Sequence, residues 1–182
     1  MKTIKLRILI VEDSEDDALL VMRELRNGGY DPVFERVETA EAMVAALGKE
    51  SWDLVIADYV LPKFSGLDAL RTLRETAFDL PFILVSGTIG EETAVEAMKA
   101  GAHDYIMKNN LKRLIPAVER ELKEAKMRQE RGRMERELKK RVKELEEFYN
   151  IAIGRELRMK ELKDEIESLK EELERCKSGE KL

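Results

Sequence analysis

The segment Lys5 to Val11, KLRILIV, is the first of five short runs that end on a charged or hydroxyl-bearing residue. Four of the five are strongly apolar. Runs this short, β-branched and continuous predict strands covered on both faces rather than strands with one wet side. The others are Pro32–Val37, more polar and edge-like, then Asp53–Ala57, Pro81–Val85 and Asp104–Met107. Helical patterns separate them. Ser14 and Asp17 form a cap signal before the stripe Ala18, Leu19, Met22 and Leu25, and Gly28-Gly29 closes it. Thr39 opens a helix over Glu41–Lys49, and Leu67, Leu70 and Leu73 mark a third. Ala94, Val95 and Met98 mark a fourth, and Leu111 begins the last. Strict alternation of strand and helix predicts an α/β fold, a doubly wound five-stranded parallel sheet joined by right-handed crossovers.

Composition divides the chain of 182 residues. Residues 1–115 carry 14 basic and 20 acidic side chains, whereas residues 116–182 carry 19 and 18 and contain no proline after Pro116. The second stretch is too charged to bury a core of its own. A single cysteine, Cys176, excludes a disulfide framework and a CxxC zinc site. The longest apolar run falls far short of the roughly 18 residues of a membrane span, and the opening apolar run ends in acids rather than at a cleavage site. The acidic head argues against nonspecific nucleic-acid binding. These features predict a cytoplasmic protein.

The strand ends carry the chemistry. In open parallel sheets, ligands bind outside the carboxyl ends of the strands, where strand order reverses. The first strand ends in Glu12-Asp13, the third in Asp58, the fourth in Ser86 and the fifth in Lys108. With the first strand central and the third beside it, three carboxylates converge and require a cation. An all-oxygen set suits Mg²⁺. A carboxylate beside Mg²⁺ can attack phosphorus, with Lys108 and the Ser86 hydroxyl stabilising the transferred group. No Gly-rich phosphate loop is present, so the parts suit accepting a phosphoryl group rather than kinase chemistry. Singly, Glu12, Asp13 and Ser14 could be only a cap and Asp58 a loop carboxylate. The combination with Ser86 and Lys108 favours a site.

The pieces ILIVEDS, DLVIADYVLPKFSG, PFILVSGTIGE and AGAHDYIMK, in this order, resemble the receiver domain of two-component response regulators over residues 5 to about 120. The resemblance implies a flavodoxin-like sheet of order 2-1-3-4-5. It implies that Asp58 is the phosphoacceptor and that Glu12, Asp13, Asp58 and the Val60 carbonyl hold Mg²⁺. It makes Ser86 the switch hydroxyl, Lys108 the phosphoryl-binding lysine and Tyr105 the aromatic switch, turning inward on phosphorylation, although an aromatic here also suits a plain core role. Two positions depart from the family's familiar form: Glu12 stands where aspartate is usual, and Asn109 follows Lys108 where proline is usual. Val60 and Thr88 occupy the positions where family members tune hydrolysis, and valine cannot orient a water, so a phosphoryl half-life of minutes or longer is expected. His103, the only histidine, reads as structural rather than as a phosphoryl carrier.

Beyond residue 120 the chain reads as a helical extension, so the expected division is 1–120 and 121–182. Leu138, Val142, Leu145, Tyr149 and Ala152 step by four and three, as do Leu162, Ile166, Leu169, Leu173 and Cys176. These are heptad seams. They differ in frame by three residues, a stammer beside Gly154. The alternative is a solvated single helix held by pairs such as Glu137–Arg141. The seams favour a coiled-coil homodimer, parallel, with the two Cys176 positions facing. No helix-turn-helix is encoded, so no DNA-binding domain is expected in this chain. Three functions compete. One is a non-enzymatic switch, phosphorylated by a histidine kinase or phosphotransfer protein and relayed through the fifth helix into the tail. The second is a phosphoryl shuttle or sink, or the receiver portion of a larger hybrid sensor kinase. The third is a structural coiled-coil protein with a degenerate receiver.

Overall fold

The computed structural model describes residues 3–62, 64–87 and 91–177. Two compact units emerge, Met1–Gln129 and Glu130–Leu182. In the first, the elements run β1 (Ile4–Val11), α1 (Glu15–Asn27), β2 (Tyr30–Val37), α2 (Ala40–Lys49) and β3 (Leu54–Asp58). Then follow α3 (Gly66–Arg74), β4 (Phe82–Ser86), α4 (Glu91–Ala100), β5 (Asp104–Met107), a 3-10 segment (Lys108–Arg113) and α5 (Leu114–Lys177). The strands form one sheet of order β2-β1-β3-β4-β5, and every pairing is parallel. The doubly wound arrangement expected from the alternating pattern is therefore present.

Period two along each strand explains why the apolar runs are continuous. On β1, Leu9 and Val11 join Val55, Ala57, Phe82 and Leu84 against the helical residues Met43, Leu47 and Leu70. Leu6, Ile8 and Ile10 point the other way and join Leu54, Ile56 and Ile83 against Met22, Leu25 and Val118. Successive side chains face opposite sides of a strand, and helices cover both sides, so neither set can be polar. β2 is different: it pairs only with β1, and its residues alternate between buried and exposed over its first half. Pro32 lies within it, which an edge strand tolerates because the missing N–H need not face a neighbour.

The last helix starts later than the sequence pattern predicts. Leu111 lies in the 3-10 segment, Asn110 leaves helical geometry (φ −135, ψ 51), and α5 begins at Leu114. Proline accounts for the shift. A helix from Leu111 would place Pro116 where its missing N–H breaks an intrahelical bond, whereas a start at Leu114 places it in the first turn, where no N–H is required. Asparagine's competing local bonds favour the same irregular step. Leu114, Ala117, Val118 and Ala125 are all buried within the first unit. No cis peptide occurs among the described residues.

Among the described residues the second unit is helix alone. Residues 130–175 are exposed throughout, apart from Gly132, which is half-buried. Its apolar side chains include Leu145 at 74% and Tyr149 at 66% exposure, too open to be a core. Ion pairs such as Glu137–Arg141 (3.3 Å) and Glu135–Lys139 (3.2 Å) staple successive turns. Among the described residues no helix is long and apolar enough to cross a membrane.

His103 ties the start of β5 to the start of β4. Its Nδ1 accepts the Phe82 N–H (3.1 Å), and its own N–H donates to the Phe82 carbonyl (2.9 Å). Burial holds this imidazole below its ordinary value, with Arg128 and Arg74 acting in the same direction and Glu121 and Asp79 opposing them. The unfolded chain binds that proton more readily, so His103 costs stability as pH falls below about 6.5 and through its folded value. An NMR titration of the only histidine is expected to give a pKa below 6.5. A value at or above 6.5 would remove the structural role assigned to it.

Candidate functional site

The carboxyl ends of β1, β3, β4 and β5 are level, and the register sets this. Val11 lies opposite Ala57, Asp58 opposite Val85 and Ser86 opposite Met107. The residue that closes each strand, or follows it, therefore reaches the same rim. Glu12 and Asp58 are buried there, at 4% and 8% exposure. Lys108 arrives from the end of β5. Its Nζ donates to Asp17 Oδ2 (2.5 Å), Asp58 Oδ2 (2.7 Å) and Glu12 Oε2 (3.0 Å).

Asp17 joins the acidic cluster although its spacing from Ser14 marks it as a capping residue. The sequence places it as the partner of Ser14 in a helix cap, and half of that expectation holds, since Ser14 Oγ accepts the Asp17 N–H (3.2 Å). In a complete capping box, the Asp17 carboxylate would return to the Ser14 N–H. Here Glu12 Oε1 accepts that N–H instead (3.1 Å), and the Asp17 carboxylate turns to Lys108. A shared oxygen cluster results: Glu12, Asp17 and Asp58 each offer an atom within 4.8 Å of the others. Asp13 is exposed and outside this group. A second unforeseen residue is Arg36 on β2, whose Nη1 donates to the carbonyls of Glu12 (2.9 Å) and Asp13 (3.1 Å). It holds the chain at the end of β1 in place.

The remaining sites lie around this rim. Ser86 ends β4 and is fully buried. Tyr105 is already inward, at 9% exposure, within the core cluster that includes Leu84 and Ala97. The Val60 N–H donates to Asp58 Oδ1 (3.4 Å) while its side chain is exposed. Thr88 lies outside the described residues. Gly66, the first residue of α3, seats the helix against the loop after Asp58, and its N–H donates to the Tyr59 carbonyl (3.1 Å). A Cβ at this position would lie 2.4 Å from the Asp58 carbonyl oxygen and 3.0 Å from Tyr59 Cα.

Three carboxylates against one ammonium leave a formal −2. At an effective dielectric near 20, two carboxylates about 5 Å apart repel by roughly 3 kcal/mol. Burial pushes the Glu12 carboxyl above its ordinary value; the Ser14 N–H and Lys108 pull it down, and nearby Asp58 pushes it up again. For Lys108, burial is the largest influence and lowers its pKa. The hydrogen bonds from Asp17, Asp58 and Glu12 together outweigh it and hold the ammonium well above the ordinary lysine value. The donor set is all oxygen, clustered and doubly negative after Lys108 is counted, which fits a hard divalent cation such as Mg²⁺.

Residues 8–119 match the family model of the response regulator receiver domain. Among curated proteins, an uncharacterized transcriptional regulatory protein, YkoG of Bacillus subtilis, is 38% identical over 101 residues, covering 56% of this chain and 43% of that protein. The chain thus spans less than half of that relative's length. Among solved structures, NtrX from Brucella abortus gives a TM-score of 0.63 at 30% identity, covering 72% of this chain and 30% of that one. The receiver domain of a signal transduction histidine kinase from Syntrophus aciditrophicus gives 0.54 at 30% identity, covering 65% and 90%.

Asp17→Asn keeps the size of the side chain but removes a charge from the cluster. It is expected to weaken Mg²⁺ binding about tenfold in a calorimetric titration, and unchanged affinity would exclude Asp17 from the metal's surroundings. Gly66→Ala must displace backbone at the acceptor loop. It is expected to lower stability to urea by about 1–3 kcal/mol, an effect absent if α3 can move away freely.

Proposed function

The chain belongs to the response regulator receiver family, and from that premise we propose that Asp58 accepts a phosphoryl group from a histidine kinase or phosphotransfer protein. The observation that carries this reading is the Lys108 ammonium, which gathers Asp58, Glu12 and Asp17 at one rim of the sheet. In the transfer, an Asp58 oxygen forms a bond to phosphorus. The phosphorus–nitrogen bond of the donor phosphohistidine breaks, and its electron pair stays on the imidazole nitrogen. Lys108 holds the acceptor carboxylate and then the oxygens of the transferred group. Glu12, Asp17 and Asp58 would hold Mg²⁺, with Asp13 and the Val60 carbonyl as the further ligands that family resemblance supplies. The bound metal contributes charge neutralisation on the phosphoryl oxygens.

The output follows from where the helix begins. Leu114 and Val118, at the start of α5, are completely buried beside Ile106 of β5, and the same helix continues to Lys177. Ser86 and Tyr105 are the switch residues in this reading, and they act on β5 and α5. The change then passes into a tail that pairs with a second copy of the chain, and the protein acts in the cytoplasm as a signalling switch rather than as an enzyme with a separate substrate. The likeness to the receiver of a histidine kinase favours one further reading, in which this receiver works as a module of a larger sensor protein.

Mg²⁺-dependent labelling by acetyl phosphate tests the acceptor. Asp58→Asn is expected to abolish it, and retained labelling would move the acceptor elsewhere. The exposed Val60 side chain offers no polar group to orient a water, so the label is expected to decay with a half-life of minutes or longer. Light scattering with and without beryllofluoride and Mg²⁺ tests the output. Identical mass and identical tail dynamics in both states would leave the phosphoryl chemistry intact but remove the relay.

A further inference from the structure

Resting on the homodimer reading above, we infer that residues 159–175 recognise a second copy as a parallel, in-register, two-stranded coiled coil, with Glu165 of each chain facing Lys170 of the other. Three independent features of this stretch agree. Met159, Leu162, Ile166, Leu169 and Leu173 form a continuous seam in which Met159, Ile166 and Leu173 occupy heptad position a, and Leu162 and Leu169 position d. The side chains of this seam are between 40% and 58% exposed, so the single helix leaves them facing water. A β-branched residue at a with leucine at d favours two strands over three or four, and Ile166 with Leu162 and Leu169 fits that rule.

The charges that flank the seam choose the direction. Position e, next to d, holds Lys163 and Lys170, while position g, next to a, holds Glu165 and Glu172. Arg158 at the first g faces Lys163 unfavourably, so the direction is carried by the Glu165–Lys170 pair. In a parallel pair, g of one chain faces the following e of the other, which sets Glu165 against Lys170 twice across the two-fold axis. In an antiparallel pair, g faces g and e faces e, which would set glutamate against glutamate and lysine against lysine. The lone helix does not use these four groups: the ion pairs in this stretch include Arg158–Glu161 (3.1 Å) and Glu171–Arg175 (3.7 Å). Lys163, Glu165, Lys170 and Glu172 form none among the described residues. Their charges remain available for a neighbouring chain, and complementary charges at such flanks set partner and orientation more than raw affinity.

The test uses the full chain with two reciprocal variants, E165K and K170E, followed by sedimentation at low salt, where such pairs are least screened. Each variant alone turns two attractions into two repulsions and is expected to raise the dimer dissociation constant about tenfold. Mixing the two variants restores both attractions in a parallel heterodimer, so the mixture is expected to recover the affinity of the parent. The direction itself is read from the single variants, because an antiparallel parent already opposes like charges and neither variant would weaken it. A parent dimer that neither variant weakens, or a mixture without recovery, would overturn the charge code and direction while leaving the homodimer standing. A parent trimer would overturn the two-stranded assignment. A parent chain that stays monomeric would overturn both this inference and the homodimer reading on which it rests.

Discussion

The Lys108 ammonium is the interaction on which the rest of the site depends. It is the cation at which Glu12, Asp17 and Asp58 converge, at 3.0, 2.5 and 2.7 Å. These carboxylates come from the end of β1, the first turn of α1 and the end of β3. Without a cation, three acids brought this close would repel, and two of them are buried. A burial penalty of this kind is met only by a partner that also satisfies their lone pairs. The pocket therefore needs a positive charge to exist at all, and after Lys108 is counted it still carries room, electrostatically, for two more.

That arrangement depends in turn on the sheet. Parallel strands joined by helical crossovers all point their carboxyl ends the same way, so residues far apart in sequence reach one rim; Lys108 and Glu12 are separated by 96 positions. Helices on both faces keep the strands apolar and rigid, and the level register of Val11, Ala57, Asp58, Val85 and Ser86 sets the spacing of the groups at the rim. Gly66 lets α3 approach the loop after Asp58, because any Cβ there would collide with backbone. The same logic at the other edge of the molecule gives His103 a structural use, bridging β4 and β5 through the Phe82 backbone.

Much of this was legible in the order of residues. The strand count, the edge character of β2, the strand-end positions of Glu12, Asp58, Ser86 and Lys108 and the helical tail all follow from apolar periodicity and its interruptions. What escaped reading was local competition. Asp17 looked like a capping residue because its spacing from Ser14 is that of a cap, and nothing in one dimension shows that Glu12 takes the Ser14 N–H first. Arg36 carried no motif and gained its place only because β2 lies beside β1. The start of α5 moved from Leu111 to Leu114 because the first turn of a helix accepts Pro116 and its interior does not.

By itself, the sequence determined which residues are apolar, with what period, and which charged groups punctuate each run. Those are properties of spacing, and secondary structure responds to spacing within a few residues. It also determined that the tail beyond residue 120 has a seam and no core, since charge and heptad pattern are written along a single helix. Only the tertiary structure decided which carboxylates share one cation. That choice rests on distances of a few ångströms between groups as many as 96 positions apart, and electrostatic attraction acts on the distance through space, not along the chain.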